Sequence, residues 1–244
     1  MIEFKKVTKK YLLQSSKINF ALKNTLAHIG AVKRGDIENS YFTALDNVSF
    51  RLENGDKLGV IGDNGSGKTT LLRMCAGVSL PTSGEVLTDM RPHILETSFG
   101  LQENLTAREN IYILGYLQGM TQKYLDSIID DVINFADLGV YIDQPMKYFS
   151  SGMHGRIALS LARFTAHELL LMDEIYSRGD VHFKEKGVEV FENWMKGDKT
   201  VIYISHDLQS IKDFCSKCLH LEKGKIVAFG SAEEVVNQYL EGRK

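Results

Sequence analysis

The sequence predicts an α/β fold interrupted by a helical insertion, and three observations predict it. The short apolar run Lys57–Ile61 enters a glycine-rich loop and then a helix-forming stretch, Thr69–Ala76. A run of that length, bounded by turn residues, suits a strand buried on both faces. Two further apolar runs, Leu169–Met172 and Thr200–Ile204, are separated by a helical stretch. Between these two groups, residues 104–165 read as helical almost throughout.

The elements follow in order. Ile2, Phe4 and Val7 alternate with polar residues and give a half-buried strand ending near Tyr11. Ile18, Leu22, Leu26 and Ile29 fall at helical spacing after Ser15-Ser16. Ala44–Leu52 is a second strand, closed by the Glu53-Asn54-Gly55-Asp56 turn. In the middle, Thr106-x-x-Glu109 is a capping box ahead of an apolar helix. Leu125, Ile128, Ile129, Val132, Ile133 and Ala136 then form the apolar face of a strongly amphipathic helix. A third helix starts after Ser150-Ser151. The end alternates around Cys218–Glu222, turns at Lys223-Gly224-Lys225, resumes as Ile226–Phe229, and closes with a short helix capped by Ser231-x-x-Glu234.

Composition narrows the function. With 244 residues, 43% apolar and 25% charged, the chain is long enough to build its core without disulfides or a structural metal. A net charge of −2 gives no electrostatic reason to expect nucleic acid as a partner. Residues 1–5 lack the apolar run of a signal peptide, and no window of about 18 apolar residues suggests a membrane span. Cys215 and Cys218 form a single Cys-x-x-Cys without a second ligand pair, which reads as packing.

Two motifs carry chemistry. Gly62-Asp63-Asn64-Gly65-Ser66-Gly67-Lys68-Thr69, followed by Thr70, fits Gly-x4-Gly-Lys-Ser/Thr. Glycines let successive N–H groups converge on phosphate oxygens, and the following helix adds its positive end. Lys68 would reach the β- and γ-phosphates, and the Thr69 hydroxyl would hold Mg²⁺. Downstream, Asp173-Glu174 closes the apolar run Leu169–Met172, where an open parallel sheet binds its ligands. Asp173 is placed for the Mg²⁺ shell, and Glu174 for orienting and deprotonating a water. Taken alone, Ser150-Ser151-Gly152-Met153 is only a helix cap.

The order of phosphate loop, helical insertion, Ser-x-Gly helix start, apolar-Asp-Glu and apolar-Ser-His resembles the ATP-binding-cassette ATPases over nearly the whole chain. Phe149–Met153 occupies their Leu-Ser-Gly-Gly-Gln signature, with Ser150 and Gly152 matching and Ser151 and Met153 departing. The Ser-Ser-Gly-Met form, and the insertion at 12–42, resemble the polysaccharide exporters of that family. That insertion would line the cytosolic entrance for a lipid-linked substrate, or merely cover the sheet edge.

The resemblance implies a RecA-like P-loop core over about 1–96 and 166–244, with an antiparallel β subdomain and a helical signature subdomain over about 97–165. It implies one domain across 1–244, without a C-terminal carbohydrate-binding domain. Tyr11 is then the aromatic that stacks on adenine, Ser150, Ser151 and Gly152 bind the nucleotide, and His206 is the switch histidine. Asp180 belongs to the dimer interface. Glu96 is favoured for the glutamine-loop position near Mg²⁺, with Gln102 as the alternative. Thr97–Leu105 would receive a membrane partner. The implied assembly is a homodimer that binds ATP and Mg²⁺ and joins an integral membrane permease. It would be peripheral, at the cytoplasmic face of the bacterial inner membrane. The implied cargo is a lipid-linked polysaccharide, O antigen first, with capsule and teichoic-acid polymers as rivals.

Overall fold

A computed structural model of the chain describes residues 1–12, 41–95, 100–173 and 181–243. Its centre is a six-stranded sheet. Strand β3 (Lys57–Ile61) is buried along its whole length and lies between two parallel neighbours, β7 (Thr200–Ile204) and β8 (Lys217–Glu222). The full order is β5-β6-β7-β3-β8-β9, with β5 spanning Pro92–Leu95, β6 Leu169–Asp173 and β9 Lys225–Ser231. Only β9 is antiparallel to its neighbour. The β8–β9 hairpin turns at Lys223 (φ 47°) and Gly224 (φ 80°), the two positive-φ positions that a two-residue type I′ turn requires.

A smaller antiparallel sheet has the order β2-β1-β4, with β1 at Ile2–Leu12, β2 at Tyr41–Leu52 and β4 at Ser83–Thr88. Its inner face and the large sheet share one core. Phe4 and Phe50 stack with ring centres 4.6 Å apart, and Ile2 and Leu52 are buried with Leu58, Leu71, Ile202 and Leu219.

Helix α1 (Lys68–Cys75) follows the glycine loop. Between β5 and β6 stand α2 (Ala107–Leu117), α3 (Gln122–Ala136) and α4 (Ser151–Ala162), joined by short 3₁₀ turns at Gly139–Asp143 and Met146–Tyr148. These helices have a core of their own, including Ile111, Leu125, Val132, Ile157 and Leu161. The expected capping box is present, with the Glu109 carboxylate accepting from the Thr106 amide at 2.8 Å. Helix α5 (Val181–Lys196) precedes β7, α6 (Leu208–Phe214) precedes β8, and α7 (Ala232–Glu241) ends the described chain.

The predicted helix at 18–29 and nearly all of the 12–42 insertion lie outside the described residues. Cys215 and Cys218 are buried free thiols; burial pushes the Cys218 thiol up to about 12 and raises Cys215 as well, so both pack rather than react. None of the described helices is long and apolar enough to cross a membrane.

Candidate functional site

The glycine loop joins the end of β3 to the start of α1, and close backbone approach dictates its glycines. At Gly62 (φ 143°) an added Cβ would lie 2.2 Å from the Leu221 carbonyl oxygen, and at Gly67 (φ 110°) 2.5 Å from that of Ala44. The loop is thus wedged between the end of β8 and the start of β2. The hairpin turn braces it from behind: the Gly224 amide donates to the Ser66 carbonyl at 2.9 Å, and the Asp46 amide donates to the Gly224 carbonyl at 2.8 Å. Gly65 has nothing within 4 Å of its Cβ position, which leaves that side of the loop open.

Lys68 is only 8% exposed, and its ammonium donates to the Gly62 carbonyl at 2.8 Å and to the Asp63 carbonyl at 3.0 Å. A buried cation therefore sits inside the curl of the loop, held by neutral dipoles. Beside it opens a cavity of about 340 Å³, lined by Asn64, Gly65, Gly67, Lys68, Thr69 and Thr70 on one side and by Asp173 and His206 on the other. Register explains that second pair. Asp173 of β6 is paired with Ile204 of β7, so Asp173 and His206 emerge at the carboxyl ends of adjacent parallel strands. Asp207 fixes the turn after His206 by accepting from the amides of Gln209 and Ser210 at 3.0 and 3.2 Å, a helix cap on α6.

This donor set fits a magnesium nucleotide. Open backbone with positive-φ glycines, an enclosed ammonium, a hydroxyl and a carboxylate face one cavity, and a Cβ at Gly62 or Gly67 would displace the backbone that shapes it.

Several predicted residues lie elsewhere. Tyr11 is the register partner of Phe42, yet it is Phe42, half exposed, that lines the phosphate cavity. Tyr11 lines a neighbouring cleft, with Lys9 Nζ 5.0 Å from its ring centre. Gly67 packs on the Ala44 backbone, so the first residues of β2 adjoin the loop. The signal in the sequence was an aromatic two residues ahead of Ala44. Ser150 caps α4, its hydroxyl accepting from the Met153 amide at 3.3 Å, and it stays exposed. Neither Ser150 nor Gly152 lines the cavity, so the chain's own signature does not close over its own loop. Ser151 begins α4. Glu96, Glu174 and Asp180 lie outside the described residues. Gln102 is tied to α2 through its backbone, the amide donating to Asn110 Oδ1 at 2.7 Å and the carbonyl accepting from Asn110 Nδ2 at 3.0 Å.

Of a second cleft of about 540 Å³ between the edge of the large sheet and α2, the sequence pointed only to Leu101, within the Thr97–Leu105 stretch. Ile94, Leu95, Leu101, Leu114 and Leu117 make its walls apolar. Tyr11, Arg73 and Ser79 also line it, and polar groups lie among the apolar walls. Gln118 Oε1 is buried with no hydrogen-bond partner among the described residues. The imidazoles of His93 and His167 lie 5.1 Å apart, with burial and the neighbouring His167 and Lys199 pushing His93 down to about 4.

Comparison with known proteins agrees with this architecture. The family model described as ABC transporter matches residues 45–177. The chain is 35% identical over 240 residues to the teichoic acids export ATP-binding protein TagH of Bacillus anthracis, covering 98% of this chain and 42% of that protein. It is 32% identical over 244 residues to the O-antigen export system ATP-binding protein RfbB of Klebsiella pneumoniae, covering 99% and 98%. The chain thus spans less than half the length of that TagH relative and nearly all of RfbB. Among solved structures, the ATP-binding cassette MJ0796, a dimer bound to ADP and Pi, superposes with a TM-score of 0.72 at 21% identity, covering 95% of this chain and 99% of that one. The fold is that of an ABC nucleotide-binding domain, and the chain belongs to the ABC transporter family, related to the ATP-binding proteins of teichoic-acid and O-antigen export.

Proposed function

We propose that this chain is the ATP-hydrolysing subunit of an exporter for a lipid-linked surface polymer, working as a dimer beside a separate membrane permease. The observation that carries the reading is the meeting of Lys68, Thr69, Asp173 and His206 around one cavity at the carboxyl edge of the sheet. The loop amides and Lys68 would bind the phosphates. Thr69 and Asp173 would hold Mg²⁺, which when bound supplies charge neutralisation to the transferring phosphoryl group. Glu174 would take a proton from the attacking water, and His206 would orient it. Phe42, with Tyr11 beside it in register, offers the aromatic surface for a base.

The exposed cap at Ser150 supports a shared site. A hydroxyl and helix N-terminus turned to solvent suit the phosphates of a second copy, which Ser150, Ser151 and Gly152 of this chain would cover; Asp180 and Glu96 take the interface and metal-side roles of the family. The apolar cleft between the sheet edge and α2 suits the permease, which places the subunit peripherally at the cytoplasmic membrane. For the cargo, O antigen and teichoic acid are the two polymers that the relatives RfbB and TagH name, and both are lipid-linked surface polymers.

Glu174→Gln tests the central step. The variant should bind ATP with native affinity, elute as a dimer when ATP and Mg²⁺ are present, and turn over at least about 100-fold more slowly. Hydrolysis at the native rate would overturn the role of Glu174, and a strictly monomeric variant would overturn the shared site.

A further inference from the structure

Asp63, the second residue of the loop, is engaged on two sides. Its carbonyl accepts from Lys68 Nζ at 3.0 Å and from the Ser66 amide at 3.1 Å, within the phosphate-binding curl. Its carboxylate is instead taken up by the last helix and the residue just past its cap, accepting from the Tyr239 hydroxyl at 3.3 Å and from the Arg243 guanidinium. Tyr239 is buried and set edge-on against His220, with ring centres 4.7 Å apart, and the Arg243 guanidinium lies 4.6 Å from the Tyr239 ring centre. His220 is the register partner of Ile61, the residue just before Gly62. One continuous cluster therefore runs from the phosphate loop to the end of α7, and no role assigned above uses it.

Two effects make that cluster responsive to the loop. A carboxylate on a loop that gathers phosphate oxygens is a like charge, and Arg243 neutralises it. Phosphates that fix the loop backbone also present the Asp63 carboxylate in one geometry, which reduces the ordering entropy the ion pair must overcome. Both effects enter one coupling free energy, and linkage makes it reciprocal.

We propose that the Asp63–Arg243–Tyr239 cluster couples occupancy of the phosphate loop to anchoring of the C-terminal end of α7, so that nucleotide binding and docking of this end strengthen each other. The inference rests on the reading of the loop as the nucleotide site. Its consequence is regulatory: anything that pulls Arg243 away from Asp63 lowers nucleotide affinity, and nucleotide in turn holds the helix end down.

The test uses the full chain, a fluorescent ATP analogue with Mg²⁺ at low salt, and amide hydrogen exchange over residues 237–243. Helix α7 keeps its buried Val235 and Val236 and the Lys212–Asn237 hydrogen bond in Arg243→Ala, so the helix itself is retained. Because both partners of the ion pair are more than half exposed, Arg243→Ala should weaken binding only about two- to five-fold, and Asp63→Asn, which removes the like charge together with the ion pair, should weaken it less. The double variant should bind about as well as Asp63→Asn, since without the carboxylate Arg243 has no charge to neutralise. Nucleotide should raise protection at 237–243 in the native chain and leave it unchanged in Arg243→Ala. Additive losses in the double variant, or an equal rise in protection without Arg243, would overturn the coupling alone, provided that native binding is intact and lost in Lys68→Ala. If the native chain binds no nucleotide, the reading of the loop falls and the coupling falls with it.

Discussion

The two clefts of this molecule are built by opposite means. The phosphate cavity is a backbone construction: Gly62 and Gly67 allow main chain from β8 and β2 to approach, and carbonyl oxygens hold the Lys68 ammonium. The cleft beside α2 is a side-chain construction, walled by leucines from separate elements around an amide oxygen with no partner among the described residues and two partly buried imidazoles. The difference teaches where each is vulnerable. A backbone cradle tolerates almost no change in residue type but shifts little with conditions. A side-chain cleft accepts apolar exchange, yet it is sensitive to the protonation and hydrogen bonding of its few polar groups.

Removing the cation at the first cleft should have the largest effect. Lys68→Ala deletes a buried ammonium and leaves the Gly62 and Asp63 carbonyls without that donor. A charge-assisted hydrogen bond contributes roughly 1.5–3 kcal/mol, so nucleotide affinity should fall at least about tenfold, measured by titration with a fluorescent ATP analogue. Unchanged affinity would mean that the glycine loop does not bind phosphate, and the contrast between the clefts would lose its meaning.

The same difference explains what the sequence disclosed. The glycine loop was legible because only a few residue types satisfy its backbone geometry, and their spacing is short. The central strands were legible from unbroken apolar runs such as Leu169–Met172, and α2 from its Thr106–Glu109 capping box. Strand β4, Ser83–Thr88, was not, because five of its six residues are exposed and give no apolar period. The place of Phe42 was hidden as well: Tyr11 and Phe42 are both aromatic and opposite each other, and only the packing of Gly67 on Ala44 decides which adjoins the loop. For the apolar cleft, Leu95, Leu101, Leu114 and Leu117 each look like core in isolation; the cavity exists only once β5 and α2 are placed side by side.

Acid should act on the second cleft before the first. In the folded chain burial holds His93 near a pKa of about 4, against an ordinary value of 6.5. A depressed pKa contributes stability that is complete above the unfolded value and is lost as pH falls toward and through the folded one. Between pH 7.5 and 4.5 the loss from His93 should be on the order of 2 kcal/mol, with His167, also lowered, adding in the same direction. Urea unfolding followed by the single tryptophan, Trp194, measures it. The native chain should lose more stability over that range than His93→Leu. Parallel losses in the two chains would show that the imidazole is not held neutral, and the contrast in pH sensitivity would fail.

The smallest effect separates what the second cleft contributes to folding from what it offers a partner. Gln118 Oε1 is buried without a hydrogen-bond partner among the described residues, and an unsatisfied buried acceptor costs about 1–3 kcal/mol. Leucine at this position keeps much of the side-chain volume and removes that cost, so Gln118→Leu should unfold at an equal or higher urea concentration, by about 1 kcal/mol at most. If the cleft served only the fold, nothing else would change. If it receives the permease, the amide oxygen waits for a donor on that partner, and the stabilised variant should bind the membrane subunit more weakly while its nucleotide affinity stays native. Greater stability with undiminished capture would assign Gln118 to packing; greater stability with weaker capture would mean that the chain bears a folding cost at this residue in exchange for an interaction.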